Sequence, residues 1–376
     1  MQFRDIPGQT ATKEFLQSLF TKERLPHALL FIGREGSGKL PLAVALANLA
    51  QCTRPVDGDS CGECPACRKT HKYIHPDIFF TFPTIARDEK GTPSSAMAPE
   101  WRRALQEKMY FNLNGWRKFI DEDKKQLNIP LVSIREVIRF CSMKAYEGSR
   151  KIVLIWHAEL MEKEGNRLLK LIEEPPPDTV FLLITDHPEQ LLPTIVSRCQ
   201  IVQVPPFREE DISWYAQNKS GLDPIQMAPQ IAMANGNMTA FLESFEEGNE
   251  VLNKELVDWL RLAYKGQAVQ ILEWADKFSK YNKDDQKHFF KFALGFFEQL
   301  FLSFHVEKDQ LRVDQNNFET IQKMKSILDI HKTIAIIELL NDNIQYIERN
   351  AAQKLNMINS SLTLHKIMVA KANEKG

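Results

Sequence analysis

Hydrophobic positions in this chain fall into two regimes. Up to about residue 206 they come as short unbroken runs, and beyond it they recur at helical spacing. The clearest run is 152–156, Ile-Val-Leu-Ile-Trp, the pattern of a strand buried on both faces of a parallel sheet. Leu160, Leu168, Leu169 and Ile172 follow at helical spacing, and Pro175, Pro176 and Pro177 stop that helix. A second apolar run, 180–184, ends in Thr185. Strand, crossover helix and strand within about thirty-five residues predict a βαβ unit. Further strands are expected at 29–32 and 78–82, with an amphipathic helix around Phe15, Leu16 and Leu19 after a Gly8-Gln9 turn. Ser133 and Glu136 have capping-box spacing for a helix running through Lys144.

After Pro205-Pro206 the pattern predicts three short helices, 209–219, 224–234 and 238–246, as a small helical unit. From about residue 250 everything reads as helix, with amphipathic segments at 251–264, 284–304, 318–330, 333–349 and 354–369. Aromatic residues cluster there at Phe289, Phe290, Phe292, Phe296 and Phe297. The stretch 86–128 lies between the expected strand 78–82 and the helix that Ser133 opens. Its part 87–99 is polar and rich in Gly, Pro and Ser, which predicts a mobile segment, and its part 100–127 looks helical and carries Trp101, Tyr110 and Trp116. Packing of these aromatics against their own domain is favoured over contact with DNA or a partner. The expected division is therefore 1–206, 207–248 and 249–376, and 376 residues are too many for one core.

Charge narrows the function. A net charge of −1 excludes a polycation that coats nucleic acid by itself. No apolar run reaches membrane-spanning length and no signal-peptide core opens the chain, so a cytoplasmic protein is expected. Four of six cysteines, Cys52, Cys61, Cys64 and Cys67, crowd into sixteen residues. Four soft thiolates in so short a loop can surround one Zn²⁺ tetrahedrally, with no position left for water, which makes the expected site structural. Reduced thiols, or His71 in place of one cysteine, are the alternatives.

Gly33-Arg34-Glu35-Gly36-Ser37-Gly38-Lys39-Leu40 lies after a predicted strand and before a helix, the setting of a phosphate loop. Candidate nucleotide-binding residues are Gly33, Gly36, Ser37, Gly38, Lys39 and Leu40, with Thr185 at the end of the neighbouring strand. Leu40 lacks the hydroxyl that would hold Mg²⁺, and Pro41 is tolerated because it falls in the first helical turn. Weak ATP or ADP binding and a relic loop holding nothing both stay open, while hydrolysis is not expected. His75-Pro76-Asp77 reads as a structural turn into the next strand.

Several of these segments together resemble the clamp-loader AAA+ family of bacterial DNA polymerase III. They are Leu168-Leu169-Lys170-Leu171-Ile172-Glu173-Glu174-Pro175-Pro176, then Thr185, then Ser197-Arg198-Cys199, with Gly8-Gln9 and 24–28 (Arg-Leu-Pro-His-Ala) upstream. The ATP-hydrolysing members end the first strand of the βαβ unit in Asp-Glu, whereas Trp156-His157 stand here. Thr239 likewise replaces the Arg that motor members carry three residues after the Gly at position 236. The resemblance covers the chain outside 86–128. It implies an AAA+ P-loop domain with a three-layer parallel sheet and a zinc-binding insertion at 52–67, a helical lid at 207–248 and an all-α collar at 249–376 that joins subunits into a ring. It further implies a non-hydrolysing stator that gives Arg198 to a neighbour's ATP. Partners would be delta and gamma or tau subunits, with the sliding clamp and primed DNA met through the assembly. Two other classes stay open: an ATPase in which Glu159, Glu173 or Glu174 replaces the lost acids, and a zinc module that binds DNA directly.

Overall fold

A computed structural model describes residues 1–376 apart from 23, 86–90, 121–125, 222–226, 245–247, 282, 307–314, 350–351 and 370–376. The chain divides into two compact units, Met1–Gly221 with Ala234–Ala240, and Leu222–Met233 with Phe241–Gly376. The first unit is built on a five-stranded, wholly parallel sheet. Its strands are β1 (Ala28–Ile32), β2 (Ile78–Thr81), β5 (Lys151–Trp156), β6 (Thr179–Thr185) and β7 (Gln200–Gln203), in the order β2-β5-β6-β1-β7. A separate two-stranded antiparallel ribbon pairs β3 (Thr84–Ile85) with β4 (Leu127–Asn128). β5 and β6 lie side by side, as the βαβ reading requires, with Ile152 opposite Val180 and Trp156 opposite Ile184. β7 was not expected from the apolar pattern, because three of its four residues are exposed at the sheet edge.

Side chains alternate across a strand, so the sheet needs cover on both faces. Ala28, Leu30, Val153, Ile155, Phe181 and Leu183 share one core with Ile134, Val137 and Phe140 of helix α6 (Leu131–Ser142) and with Met161, Leu168 and Ile172 of the crossover. Helix α2 (Lys39–Gln51) lies against β1, β5 and β6 with all thirteen residues buried, outside that core, and so covers the opposite face. The remaining helices of this unit are α1 (Thr10–Thr21), α3 (Pro65–His71), α4 (Ala98–Glu107), α5 (Leu113–Phe119), α7 (Leu169–Glu173), α8 (Pro193–Val196) and α9 (Glu209–Lys219).

Three local expectations are corrected. The crossover is not one helix: tight 3₁₀ turns over Ala158–Leu168 break at Glu162 (φ 46°, ψ −133°) before α7 begins. Ser133 and Glu136 do not cap α6, which starts after Pro130 and ends at Ser142. Instead Ser94 N–H donates to Ser133 Oγ at 3.0 Å, and Ser95 Oγ donates to Glu136. Ser94 also accepts from Phe82 N–H and donates to Phe82 O, so it extends the end of β2. The predicted mobile stretch 87–99 is therefore anchored from Thr92 onward, with Thr92, Ser94 and Met97 buried, while 87–90 lie outside the described residues. The aromatics of the extra segment do pack inward. Trp101 stacks on Phe82 at 4.3 Å between ring centres, and Trp116 donates Nε1–H to Pro83 O at 2.8 Å.

The second unit holds α10 (Ala228–Met233), the end of α11 (Met238–Glu243), α12 (Gly248–Lys265), α13 (Ala268–Phe278), α14 (Lys283–Leu302), α15 (Gln315–Lys325), α16 (Ile330–Glu348) and α17 (Gln353–Val369). The expected aromatic cluster is its core: Phe289, Phe290, Phe296 and Phe297 are buried with Trp259 and Phe278. Register is set by buried polar contacts, Trp259 Nε1–H to Ser361 Oγ at 2.9 Å and Ser360 Oγ–H to Asn343 Oδ1 at 2.6 Å. α13 was missed as a separate helix. Parts of the expected helices 224–234 and 238–246, and residues 350–351 of the terminal stretch, lie outside the described residues. No helix among the described residues is long and apolar enough to cross a membrane.

Asp77, in the His75-Pro76-Asp77 turn, shows why that tripeptide is structural. Its buried carboxylate accepts the N–H groups of Tyr146, Glu147 and Gly148 at 2.6, 2.9 and 2.7 Å, tying the start of β2 to the approach to β5. Burial would push its carboxyl up, but the three N–H donors outweigh that and hold it below its ordinary 3.8. Charge-assisted bonds of this kind predict that Asp77→Ala costs about 3 kcal/mol in urea unfolding. A lowered carboxyl stabilises the fold above its unfolded value and loses that contribution as pH falls through the folded one. The gap between wild type and Asp77→Ala should therefore be full at neutral pH and shrink below pH 3.8.

Candidate functional site

In a parallel sheet the carboxyl ends of the strands gather at one edge, where ligand sites form. β1 delivers Gly33 to Lys39 there, β5 delivers Trp156 and His157, and β6 delivers Thr185 and Asp186. The phosphate loop forms as its glycines demand. Gly36 (φ 72°) and Gly38 (φ 91°) are left-handed, and a Cβ on Gly38 would stand 2.7 Å from the Phe207 ring, while one on Gly36 would collide with Asn237. Gln9 ties the amino-terminal turn to the loop, its Nε2 donating to Ser37 O at 3.0 Å and Pro205 O at 2.6 Å. Ser37, Lys39, Leu40, Thr185 and Thr239 are all buried.

The ammonium of Lys39 is already occupied. It donates to Gly33 O at 2.8 Å and Arg34 O at 2.6 Å, and pairs with Asp186 at 2.7 Å. His157, in a left-handed conformation, places Nδ1 2.8 Å from Glu159 Oε1. Burial by itself disfavours an imidazolium, yet Glu159 and Asp186 outweigh it and raise His157 above its ordinary value. Burial likewise pushes Glu159 and Asp186 up, and their neighbours, His157 for both and Lys39 for Asp186, bring them below their ordinary values. Lys39 and His157 thus each stand against a carboxylate at the edge where the strand ends meet. Asp186 was missed from sequence, and only its position immediately after Thr185 could have drawn attention to it.

The stretch 109–112 (Met-Tyr-Phe-Asn), between α4 and α5, reaches the same place. Met109, Tyr110, Phe111 and Asn112 line a cavity with Gly36, Gly38, Lys39, Leu40, Trp156, His157, Asp186 and Thr239, and its volume is about 30 Å³. Trp156, the last residue of β5, packs against Trp101 and Phe111 at 5.2 and 5.1 Å between ring centres.

Cys52, Cys61, Cys64 and Cys67 form the one metal-type cluster among the described residues, their sulfurs all within 4.8 Å of one another. His71 is not part of it. A tetrahedron of about 2.3 Å metal–sulfur bonds fits the 3.8 Å between the sulfurs of Cys61 and Cys67. The backbone supports such a centre: N–H groups of Cys61, Cys64 and Cys67 donate to the sulfurs of Cys52, Cys61 and Cys64 at 3.2, 3.3 and 3.4 Å. Although burial pushes the Cys64 thiol up, donors from Thr53 and Cys67 bring it down to about 6.

Arg198 lies apart from the phosphate-loop cavity. Its guanidinium pairs with Glu173 of α7 and donates to Thr194 O at 2.9 Å, with about a third of the side chain exposed. Cys199 beside it packs into the sheet core, and burial pushes its thiol up to about 11.

Residues 8–208 match the family described as DNA polymerase III, delta subunit. Over 243 residues the chain is 28% identical to the delta-prime subunit of DNA polymerase III from Pseudomonas aeruginosa, covering 64% of this chain and 62% of that protein. Over 232 residues it is 28% identical to the delta-prime subunit of Bacillus subtilis, covering 61% and 56%. The chain thus spans roughly three fifths of the length of the curated relatives it matches. A solved gamma subunit-related protein of Thermotoga maritima aligns over 95% of this chain and 99% of its own at 17% identity, with a TM-score of 0.41.

Replacing His157 by Phe would leave Glu159 buried without its partner, and breaking a buried pair from one side costs about 3–5 kcal/mol. A raised imidazole stabilises the fold fully below its unfolded value, ordinarily 6.5, and loses that contribution as pH rises through the folded value. Wild-type stability should therefore fall above neutral pH by an amount that His157→Phe no longer shows, read by urea unfolding across that range.

Proposed function

The chain belongs to the DNA polymerase III, delta subunit family, and from that we propose that it is a non-hydrolysing clamp-loader subunit in DNA replication. It acts as the stator of a ring with delta and ATP-hydrolysing gamma or tau subunits, helps place the sliding clamp on primed DNA, and gives Arg198 to a neighbour's ATP. The carrying observation is the contrast between the two sites. Lys39 and His157 are buried and paired with Asp186 and Glu159, whereas Arg198, paired with the exposed Glu173, stands at the surface away from that centre. A planar guanidinium on equatorial phosphoryl oxygens is worth roughly 10³–10⁵ in rate in other nucleotide hydrolases. Glu159 is engaged by His157 and Glu173 by Arg198, which weighs against either acting as the missing metal-site acid of an ATPase.

The same reading takes 1–206 as the AAA+ domain, a three-layer α/β fold, with 207–248 as lid, 249–376 as collar and the cytoplasm as location. It takes the four thiolates as ligands of one structural Zn²⁺, which supplies no reactivity and holds the loop before α3 closed on itself.

Two experiments test these statements. Reconstituted with candidate loader subunits, Arg198→Ala and largely Arg198→Lys should assemble normally but load clamps at least tenfold more slowly, since a point charge does not reproduce the planar fork. Total ATP turnover should fall only in part. Normal loading by a correctly assembled Arg198→Ala complex would remove the trans role. For the metal, elemental analysis should find about one zinc per chain and much less in Cys64→Ser, with a lower melting temperature. Metal-free protein of unchanged stability would refute the zinc centre.

A further inference from the structure

We propose that the segment 109–112 is a built-in occupant of the phosphate-loop site, filling from within the chain the space that a nucleotide's phosphates would need. The excursion that carries it leaves and rejoins the domain at one point, because Thr84 pairs with Asn128 and Ile85 with Leu127 at its base. Its two helices are fixed by Trp101 and Trp116, both fully buried and in edge contact with each other at 5.3 Å between ring centres. Between them the backbone turns over the phosphate loop, and Asn112 caps α5 through Gly115 N–H at 2.9 Å while its Nδ2 donates to Glu35 at 3.2 Å.

The fit is close where the rings meet. Tyr110 wedges between Phe207 and Tyr215, at 5.9 and 5.5 Å between ring centres, and Phe207 in turn sits on Gly38. Phe111 packs edge-on against Trp101 and Trp156. Little space remains beside them, about 30 Å³ open to the centres of water molecules. The Tyr110 hydroxyl is buried with no hydrogen-bond partner among the described residues, so this ring is held by packing and a single water would satisfy it. Lys39 is paired with Asp186 and His157 with Glu159, so the polar side chains of the site already answer one another. The extra segment thereby gains a role: it makes the phosphate loop a fixed part of the core. Clamp loading has no part in this, and the isolated chain suffices to test it.

The test is equilibrium binding of a fluorescent ADP analogue to the full chain. Wild type should bind more weakly than about 1 mM. Tyr110→Ala combined with Phe111→Ala, which opens the cavity and leaves the phosphate loop intact, should bind at least tenfold more tightly. That binding should be independent of Mg²⁺ and abolished by adding Lys39→Ala. Equal affinity of wild type and the double variant, whether both bind or neither does, would overturn the proposal. Should the double variant not fold, judged by circular dichroism, Phe111→Cys gives a second reading through alkylation followed by peptide mass spectrometry. Its thiol should react at least a hundredfold more slowly in the native chain than in urea, with and without ADP. Reaction at the unfolded rate, or acceleration by ADP, would show that 109–112 does not hold the site.

Discussion

The first unit rests on the burial of three adjacent parallel strands, β5, β6 and β1, from which water is excluded on both faces. A parallel sheet tolerates this only if helices cover both sides, and the crossovers that make it parallel supply those helices. The same geometry brings every strand's carboxyl end to one edge. Once β5 pairs with β6 and β6 with β1, the phosphate loop, Trp156-His157 and Thr185-Asp186 must meet. The position of the site is thus a consequence of the core.

What occupies that edge is decided by the cost of buried charge. Lys39, the first residue of α2, is buried, so its ammonium needs acceptors. Asp186 meets that need, and His157 and Glu159 complete a set in which each charge has a near partner. Such pairs need not add net stability over apolar packing, but once present neither member can be lost cheaply. Trp156 shows the other solution at the same edge. An apolar ring ends β5 there, and further rings from the extra segment pack against it.

The cysteine loop illustrates a local constraint in place of a global one. Residues 52–67 are too few to bury a core of their own, and the cluster of four sulfurs with its N–H donors does that work. Beyond it, α3 runs to the His75-Pro76-Asp77 turn, whose Asp77 locks the loop ahead of β5. The cysteine loop is tied in this way to the central strands.

Much of this was legible in the sequence because it depends on short-range pattern. Unbroken apolar runs marked β1, β5 and β6, glycine spacing marked the phosphate loop, and cysteine spacing marked the thiolate cluster, since each needs only neighbours within a few residues. The edge strand β7 escaped because an exposed strand carries no apolar run. The crossover looked like one helix because spacing reports which residues face inward and is blind to a single left-handed residue such as Glu162. Ser133 and Glu136 had capping spacing, but the tertiary fold brought Ser94 and Ser95 to them, a long-range pairing that no local rule contains. The partners of Lys39 and the place of Tyr110 and Phe111 were likewise beyond local reading. They depend on which strand ends become neighbours and on where an excursion of some forty residues returns, and only the packed sheet decides that.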